Sequence, residues 1–548
     1  MMRWSRWIGA GALALAVGTV RAQSVDQSLL PPADPWALLA VQRSAALINA
    51  STPGRIYPVR VVIYGQSICL QKWAFDLLRN LRAWHPQSRF ITENRSISSF
   101  QMDYLLETAN ADIYPFRPDI IILQAYGFYG PGGAWERIQR EFRSRTTADV
   151  IMLSNHPLRD YELTEPTVPG TIPHGTEAWL NYEAGPALAN EVGICRPDNR
   201  SGLKAYLTAA KLPVKAVLSD FIHFNDFGGD IQMALLRPYL CAPSFHPALD
   251  PMNNARIQTH PLVAGGLDWV NGRLRLEFVG NRVDLIAAAG SPGRCRVLVD
   301  GAPPTDLPSG MGYHRSARWA ADPGYHPGLL RVGFIRKPLL ERWTLTVTGV
   351  DPDNPNSLQF EVSGAITGPD GEGISTHEFV SRSGRVRIAP GHWNHRARPV
   401  VRVGDQLVWD AEERAVDLYG TGVVADPMVE TSTTLIHDMV DGPHVLELIA
   451  EDASRPPPIA AVRVFHPAGD LFGMERDSAG TPTLRVLSNG REAIAVWPKA
   501  ATDWQLMSQD PASARWLPAS EAPGPAYSYA VRRIPGSTPV ELLRLDPR

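Results

Sequence analysis

Three residues of this 548-residue chain have the types that acyl-transfer chemistry requires: Ser67, Asp220 and His223. Ser67 closes the run Val61-Val62-Ile63-Tyr64-Gly65-Gln66-Ser67. A serine hydroxyl attacks an acyl carbon when a base takes its proton and N–H donors hold the resulting oxyanion. His223 can be that base, and Asp220, three residues earlier, can orient the imidazole through Nδ1. Read alone, Ser67 fits a helix N-cap equally well. The D-x-x-H spacing is weak by itself, because Asp441-Gly442-Pro443-His444 repeats it in a stretch that reads as a hairpin turn.

The elements around these residues give them a place. The unbroken β-branched run before Gly65 predicts a strand buried on both faces, and Leu70–Trp84 carries apolar residues at helical spacing. Ser67 therefore stands where a strand turns into a helix, among the unpaired donors of the helix start. Further strands are predicted at Ser88–Thr92, Asp119–Leu123, Asp149–Leu153 and Glu191–Cys195. Helices are predicted at Phe100–Thr108, Ala134–Arg143, Glu177–Ala189 and Gly228–Leu240. Alternating β and α elements imply a parallel sheet covered on both faces, with ligands beyond the carboxyl ends of its strands. Gly65–Ser67, the loop after Thr92, Gln124–Gly127 and Ser154–His156 all fall at that edge.

Together, Gly65-Gln66-Ser67 after the first strand and Asp220-Phe221-Ile222-His223 before the last helix resemble the SGNH (GDSL-like) hydrolase family, over about residues 58 to 242. The continuation His223-Phe224-Asn225-Asp226-Phe227-Gly228-Gly229 is similar to that family's H-x-N-x-x-G. The resemblance implies a flavodoxin-like α/β domain, a Ser67–His223–Asp220 triad and no cofactor. It also implies oxyanion donors from the serine N–H, from a second block and from a third-block asparagine. The second block here is Asn94–Phe100, with serines where glycines are usual, so the Ser98 or Ser99 N–H is the expected donor. The third block, Gln124-Ala125-Tyr126-Gly127-Phe128, lacks the asparagine and leaves the Gly127 N–H as a candidate. Asn94, Tyr126, Asn155 and His156 are candidate substrate contacts by position, and His156 reads equally well as a satisfied structural histidine.

The remaining chain bounds the setting. Arg3, Arg6, the short apolar run Ile8 to Val20 and the small residues up to Ala22 read as a secretory signal cleaved near Ala22, hence an exported protein. A net charge of −3 gives no case for nucleic acid or an anionic membrane. Cys69, Cys195, Cys241 and Cys295 could form two disulfides or remain as buried thiols, and they lack the close pairing of a zinc site. His392-Trp393-Asn394-His395 shows two histidines without an evident third metal ligand. A lead-in (23–57) carries one amphipathic helix, Trp36 to Asn49. Past Pro251, short alternating runs predict a β-sandwich or jelly-roll region over 255–470, as one large or two small units. Trp343, Trp393, Trp497, Trp504 and Trp516 read as sandwich core rather than sugar platforms. A last β module (476–548) resembles the fibronectin-like tails of exported bacterial proteins.

The leading expectation is an exported serine esterase that removes an acyl group, acetyl foremost, from a carbohydrate. The same residues leave open a catalytically inactive glycan-binding surface protein and a carbohydrate O-acyltransferase. Acyl group, sugar and oligomeric state are not legible.

Overall fold

A computed structural model describes residues 24–127, 132–242, 250–322, 326–395, 401–420 and 427–468, with 35, 36 and 190 in backbone only. It also describes the backbone of six strands between 485 and 547. The signal-like segment up to Ala22 and the side chains of Trp497, Trp504 and Trp516 lie outside the described residues.

The first unit is a parallel sheet of β1 (Pro58–Gly65), β2 (Arg89–Asn94), β3 (Ile120–Gln124) and β4 (Asp149–Met152), in the order β2-β1-β3-β4. Its helices are α1 (Gln42–Asn49), α2 (Lys72–Trp84), α3 (Met102–Asp112), α4 (Ala134–Arg145), α5 (Gly185–Val192), α6 (Asn199–Ala210) and α7 (Asp226–Leu240). The period-2 alternation of a strand splits the apolar run of β1 between two cores. Val61 and Ile63 pack with Leu77 of α2, Leu207 of α6 and Ile231 of α7. Val62 and Tyr64 pack with Leu105 of α3, Ile138 of α4 and Leu188 of α5. A strand lined by helices on both faces explains why β1 tolerates no polar residue between Val61 and Tyr64. Beneath the amino edge of the sheet, α1 is held by the Arg43–Asp119 ion pair (2.7 Å) and by Asp149, which accepts from the Ser44 N–H (2.7 Å).

Three expectations for this unit change. The lead-in carries two helices, Pro35–Leu39 and Gln42–Asn49, instead of one over Trp36–Asn49. Glu191–Cys195 is not a strand: Glu191 and Val192 finish α5, and Gly193 caps it in the left-handed region (φ 71°). What remains is a single bridge from Cys195 to Ile151. The additional helix α6 begins at Asp198, whose carboxylate accepts from the Ser201 N–H (3.0 Å). Asp198, an N-cap residue type ahead of Asn199-Arg200-Ser201, is the local signal for this helix.

The β region divides into two units, one inserted in the other. The outer unit is a sandwich. One sheet orders Leu418–Gly420, Arg294–Val299, Gly442–Ala450 and Arg273–Gly280, and the other orders Ser432–Ile436, Arg282–Ala287, Ile459–Phe465 and Ile257–Pro261. Val283, Leu285, Val297, Leu446, Leu448 and Val462 fill the space between. Between its two halves lies a five-stranded antiparallel sheet, ordered Gly368–Ile374, Leu358–Gly364, Arg342–Val350, Gln406–Glu413 and Met311–Tyr313. Trp343, Trp393, Trp409, Phe360 and Leu407 form the core of this inserted unit, so Trp343 and Trp393 are packing residues. Among the described residues, neither Arg331–Phe334 nor 401–403 forms a strand. Gly333 instead bridges once to Arg387. The Asp441–His444 repeat is not a hairpin turn: Asp441 ends the connection from the opposite sheet, and Gly442–His444 open the strand Gly442–Ala450, paired with Phe278–Gly280. Asp441 accepts from His466 (2.8 Å), and His444 faces Asp300 (2.7 Å).

Both β units pack on the α/β unit. Ion pairs join Arg315 to Asp112 and Arg145 to Asp438 (both 2.6 Å), and Leu330 enters the α3–α4 core. The C-terminal strands form two three-stranded sheets. One orders Arg485–Ser488, Ala493–Pro498 and Tyr529–Ile534; the other orders Trp516–Pro518, Trp504–Gln509 and Leu543–Pro547. No described helix is long and apolar enough to cross a membrane.

Candidate active site

Gly65 must lack a side chain, because a Cβ there would lie 2.1 Å from the Gln124 carbonyl oxygen. The close approach of β1 and β3 throws the chain outward into a short 3₁₀ turn, Ser67–Leu70, at the carboxyl edge of the sheet. As its first residue, Ser67 has no acceptor for its N–H within the turn. The partner loop, residues 218–224, is closed by the Leu218–Phe224 bridge and the Ser219 N–H to His223 carbonyl bond (2.8 Å). Asn225 then caps α7, its Oδ1 accepting from the Gly228 N–H (2.9 Å). Gln71 fastens the two loops together, donating to the Phe224 carbonyl (2.8 Å) and accepting from the Phe224 N–H (3.2 Å).

This framework brings Ser67, His223 and Asp220 into one chain of hydrogen bonds. The Ser67 Oγ lies 2.9 Å from His223 Nε2, and His223 Nδ1 lies 2.7 Å from Asp220 Oδ2. The other carboxylate oxygen accepts from the backbone N–H groups of His223 (2.7 Å) and Ile222 (2.8 Å). These bonds, the His223 N–H first and the imidazole second, hold the Asp220 carboxyl down at about 2. Asp220 is therefore an anion throughout the useful pH range and accepts the Nδ1 proton, leaving Nε2 as the base toward Ser67.

The second block closes over the same edge. The Ile97 N–H donates to the Gly65 carbonyl (2.9 Å), the Ser96 N–H to Asn94 Oδ1 (3.1 Å) and the Phe100 N–H to the Ile97 carbonyl (3.3 Å). The Ser98 and Ser99 N–H groups have no acceptor among the described residues. Ser99 sits at φ 60°, where glycine is the easy occupant. A residue with a Cβ costs about 1–2 kcal/mol there, so the loop must be held by its surroundings. Gln66 is one support. With its amide oriented to satisfy both ends, it donates to the Phe100 carbonyl (2.9 Å) and accepts from the Tyr126 N–H (3.3 Å).

Several candidate contacts have polar groups engaged within the protein itself. Asn94 spends its amide on the Cys69 carbonyl (2.6 Å) and the Ser96 N–H, pinning β2 to the serine turn. Asn155, 3% exposed, receives Gln124 Nε2 (3.1 Å) and donates to Glu177 (2.7 Å). The Tyr126 N–H meets Gln66 and its carbonyl accepts from the Met102 N–H (3.2 Å). Gly127 adopts φ 99° and faces Gln101, where a Cβ would meet Oε1 at 2.9 Å. Burial pushes the Cys69 thiol up to about 12, which makes it packing rather than a nucleophile. All four cysteines are free thiols.

His156 supports the 218–224 loop from beneath. It is 3% exposed, its Nε2–H donates to the Ile222 carbonyl (2.9 Å), and its ring lies 4.1 Å from that of Phe224. Burial pulls its pKa down to about 4. An unfolded histidine takes a proton near 6.5, so between about pH 6.5 and 4 the unfolded chain binds a proton that the folded chain refuses. Stability from His156 is complete above that window and is lost as pH falls through it. A His156→Gln variant keeps a donor for the Ile222 carbonyl without titrating. Its urea midpoint should fall less between pH 7 and pH 4.5 than that of the parent, and an equal fall would remove His156 from the acid response.

No protein-family model and no curated protein matches the chain. Among solved structures, the chain is similar to a two-domain esterase active on acetylated mannans, crystallised with mannopentaose. The identity is 12%, over 81% of this chain and 99% of that one, with a TM-score of 0.31. It is also similar to Axe2, an acetylxylan esterase from Geobacillus stearothermophilus, at 14% identity over 33% of this chain and 94% of that one (TM-score 0.27). A third is LAE5, an α/β hydrolase from the metagenome of Lake Arreo, at 17% identity over 33% and 95% (TM-score 0.27). The reading of the site rests on its own geometry.

Two features were missed by sequence reasoning. Gln66 enters the sequence reading only as part of the Gly65-Gln66-Ser67 motif and Gln71 has no role there, yet both make cross-loop bonds. Phe221 is 81% exposed beside Asp220, an uncommon position for a large apolar ring.

Proposed function

We propose that this protein is a serine esterase and that its substrate is a short acyl ester, acetyl foremost, of a carbohydrate. The observation that carries the reading is the continuous Ser67–His223–Asp220 hydrogen-bond chain at 2.9 and 2.7 Å. Ser67 Oγ attacks the acyl carbon as its proton passes to His223 Nε2. The oxyanion is received by the N–H groups of Ser67 and of Ser99 or Ser98. The imidazolium, steadied by Asp220, returns the proton to the departing alcohol, which leaves the acyl group on Ser67. Water then attacks through the same base and the same donors, releasing the acid and restoring the serine. Every step uses groups of this chain and water.

The finer reading of the substrate rests on exposure. The His223 and Asp220 side chains are 30% and 43% exposed, which leaves room for a bulky alcohol such as a polysaccharide. Phe221 at the lip offers an aromatic face to a sugar ring. The test is hydrolysis of p-nitrophenyl acetate, butyrate and octanoate, followed by acetate release from acetylated polysaccharide. Expected are a rate that falls with acyl length and free acetate from the polymer. Preference for octanoate would overturn the short-acyl reading, and absence of acetate release from any sugar ester would overturn the carbohydrate reading. Acetate moved onto an added glycan instead of water would make the protein an acyltransferase.

A further inference from the structure

We propose that the inserted β unit completes the catalytic apparatus of the α/β unit, with His326 as the positioning residue that sets the Ser98–Ser99 peptide for oxyanion binding. The inference rests on the esterase reading of the site and adds to it a residue 228 positions from the loop it serves.

His326 Nε2 lies 2.9 Å from the Ser98 carbonyl oxygen, and an N–H there donates to it. The ring is held on its other side by Asp322, whose carboxylate oxygens lie 3.1 and 3.2 Å from Nδ1 and one of which accepts the His326 N–H (3.0 Å). Asp322 is 3% exposed. The imidazole also stacks on Phe100, with centroids 5.6 Å apart and planes 10° from parallel. The ring is thus fixed by a carboxylate, a carbonyl and an aromatic face, more restraint than a histidine at a passive joint needs.

The peptide it grips is the one whose orientation matters. In a trans peptide the C=O and the following N–H point to opposite sides. Holding the Ser98 carbonyl against the β unit therefore turns the Ser99 N–H away from it, back over the sheet edge. Both flanks of this peptide are tied to the residues preceding Ser67: the Ile97 N–H to the Gly65 carbonyl and the Phe100 carbonyl to the Gln66 amide. Ser99 itself is in the left-handed region, a conformation that persists only where the surroundings over-determine it. His326 supplies the restraint on the side that the α/β unit leaves open.

The test uses the full chain with His326→Ala and His326→Gln on p-nitrophenyl acetate, beside Ser67→Ala. His326→Ala should lower kcat roughly 10–100-fold, somewhat less than loss of a whole donor, with KM within about twofold and the thermal transition retained. His326→Gln, which can still donate to the Ser98 carbonyl, should recover most of kcat. The rate of Ser67 labelling by a fluorophosphonate should fall and recover in parallel, because that reaction uses the same donors. Unchanged kcat in His326→Ala overturns the proposal, as does a rise in KM alone, which would mark a substrate contact. A Gln variant no better than Ala, with the transition lowered in both, overturns it in favour of a packing joint. Activity surviving in Ser67→Ala would instead sink the esterase reading, whatever the His326 variants do.

Discussion

Ser67→Ala should lower kcat for p-nitrophenyl acetate by roughly 10⁴–10⁶-fold, with the fold intact. Ser67 is partly exposed and its Oγ bonds to His223, so the truncation opens no core cavity and removes only the nucleophile. Asp220→Asn is the sharper companion. Its remaining carbonyl oxygen can still accept the backbone N–H groups of Ile222 and His223, so the loop should keep its shape. The amide offers an N–H to Nδ1, however, and the imidazole is driven to the tautomer whose Nε2 bears the proton and can no longer act as base. A loss of about 10²–10⁴-fold in kcat is expected, the lower end reflecting the solvent already beside this carboxylate. Because the Asp220 carboxyl is held at about 2, its titration should shape no limb of the pH–rate profile above about pH 3. Stopped-flow and steady-state rates for both variants check this. A Ser67→Ala protein as active as the parent would end the triad assignment.

Arg200→Ala should destabilise the α/β unit by about 3–5 kcal/mol, the range for removing one partner of a buried ionic network. Arg200 is 1% exposed and divides its guanidinium among Glu162 (2.7 Å), both oxygens of Glu165 (2.7 and 2.8 Å) and the Asn155 carbonyl (3.0 Å). Burial alone would raise the Glu165 carboxyl, but the bonds from Arg200 outweigh it and bring it below its usual value. Without the arginine, Glu165 keeps Lys204 as its cation and the Tyr182 hydroxyl, while Glu162 keeps the Leu158 N–H and loses its cation. The same loss frees the Asn155-His156 segment that braces the 218–224 loop, so under the proposed triad kcat should fall together with stability. The thermal transition of the α/β unit is expected to drop by roughly 6–20 °C, taking 2–4 °C per kcal/mol for a unit of this size. Arg200→Lys should recover little, since a single ammonium cannot reproduce the fork that reaches acceptors on three residues. An unshifted transition would show that the network is solvated and of little weight.

Local pattern accounts for what was legible beforehand. The β-branched run of β1, the helical spacing of α2 and the alternation of the α/β unit are periodicities within a dozen residues, and the chain adopts them where expected. Ser67, Asp220 and His223 could be nominated because each lies in a short motif at the end of such an element. Where local signals compete, sequence reading went astray: Glu191–Cys195 has strand composition, yet Gly193 ends a helix inside it. Asn94, Asn155 and His156 sit at the correct edge of the sheet, but edge position does not reveal whether a side chain turns outward to a ligand or inward to a backbone group. The structure turns all three inward.

The amino-acid sequence by itself determined the central strand, the turn that presents Ser67 and the loop that presents His223, because each is set by residues close together in the chain. Only the tertiary structure decided that one β unit is inserted within another, and that the inner one reaches the second block through His326 and Phe100. It also decided that Gln66 and Gln71 bind loops together instead of facing solvent. Such contacts join residues up to 228 positions apart. They follow from how folded units pack, and no period or motif in the intervening chain encodes them.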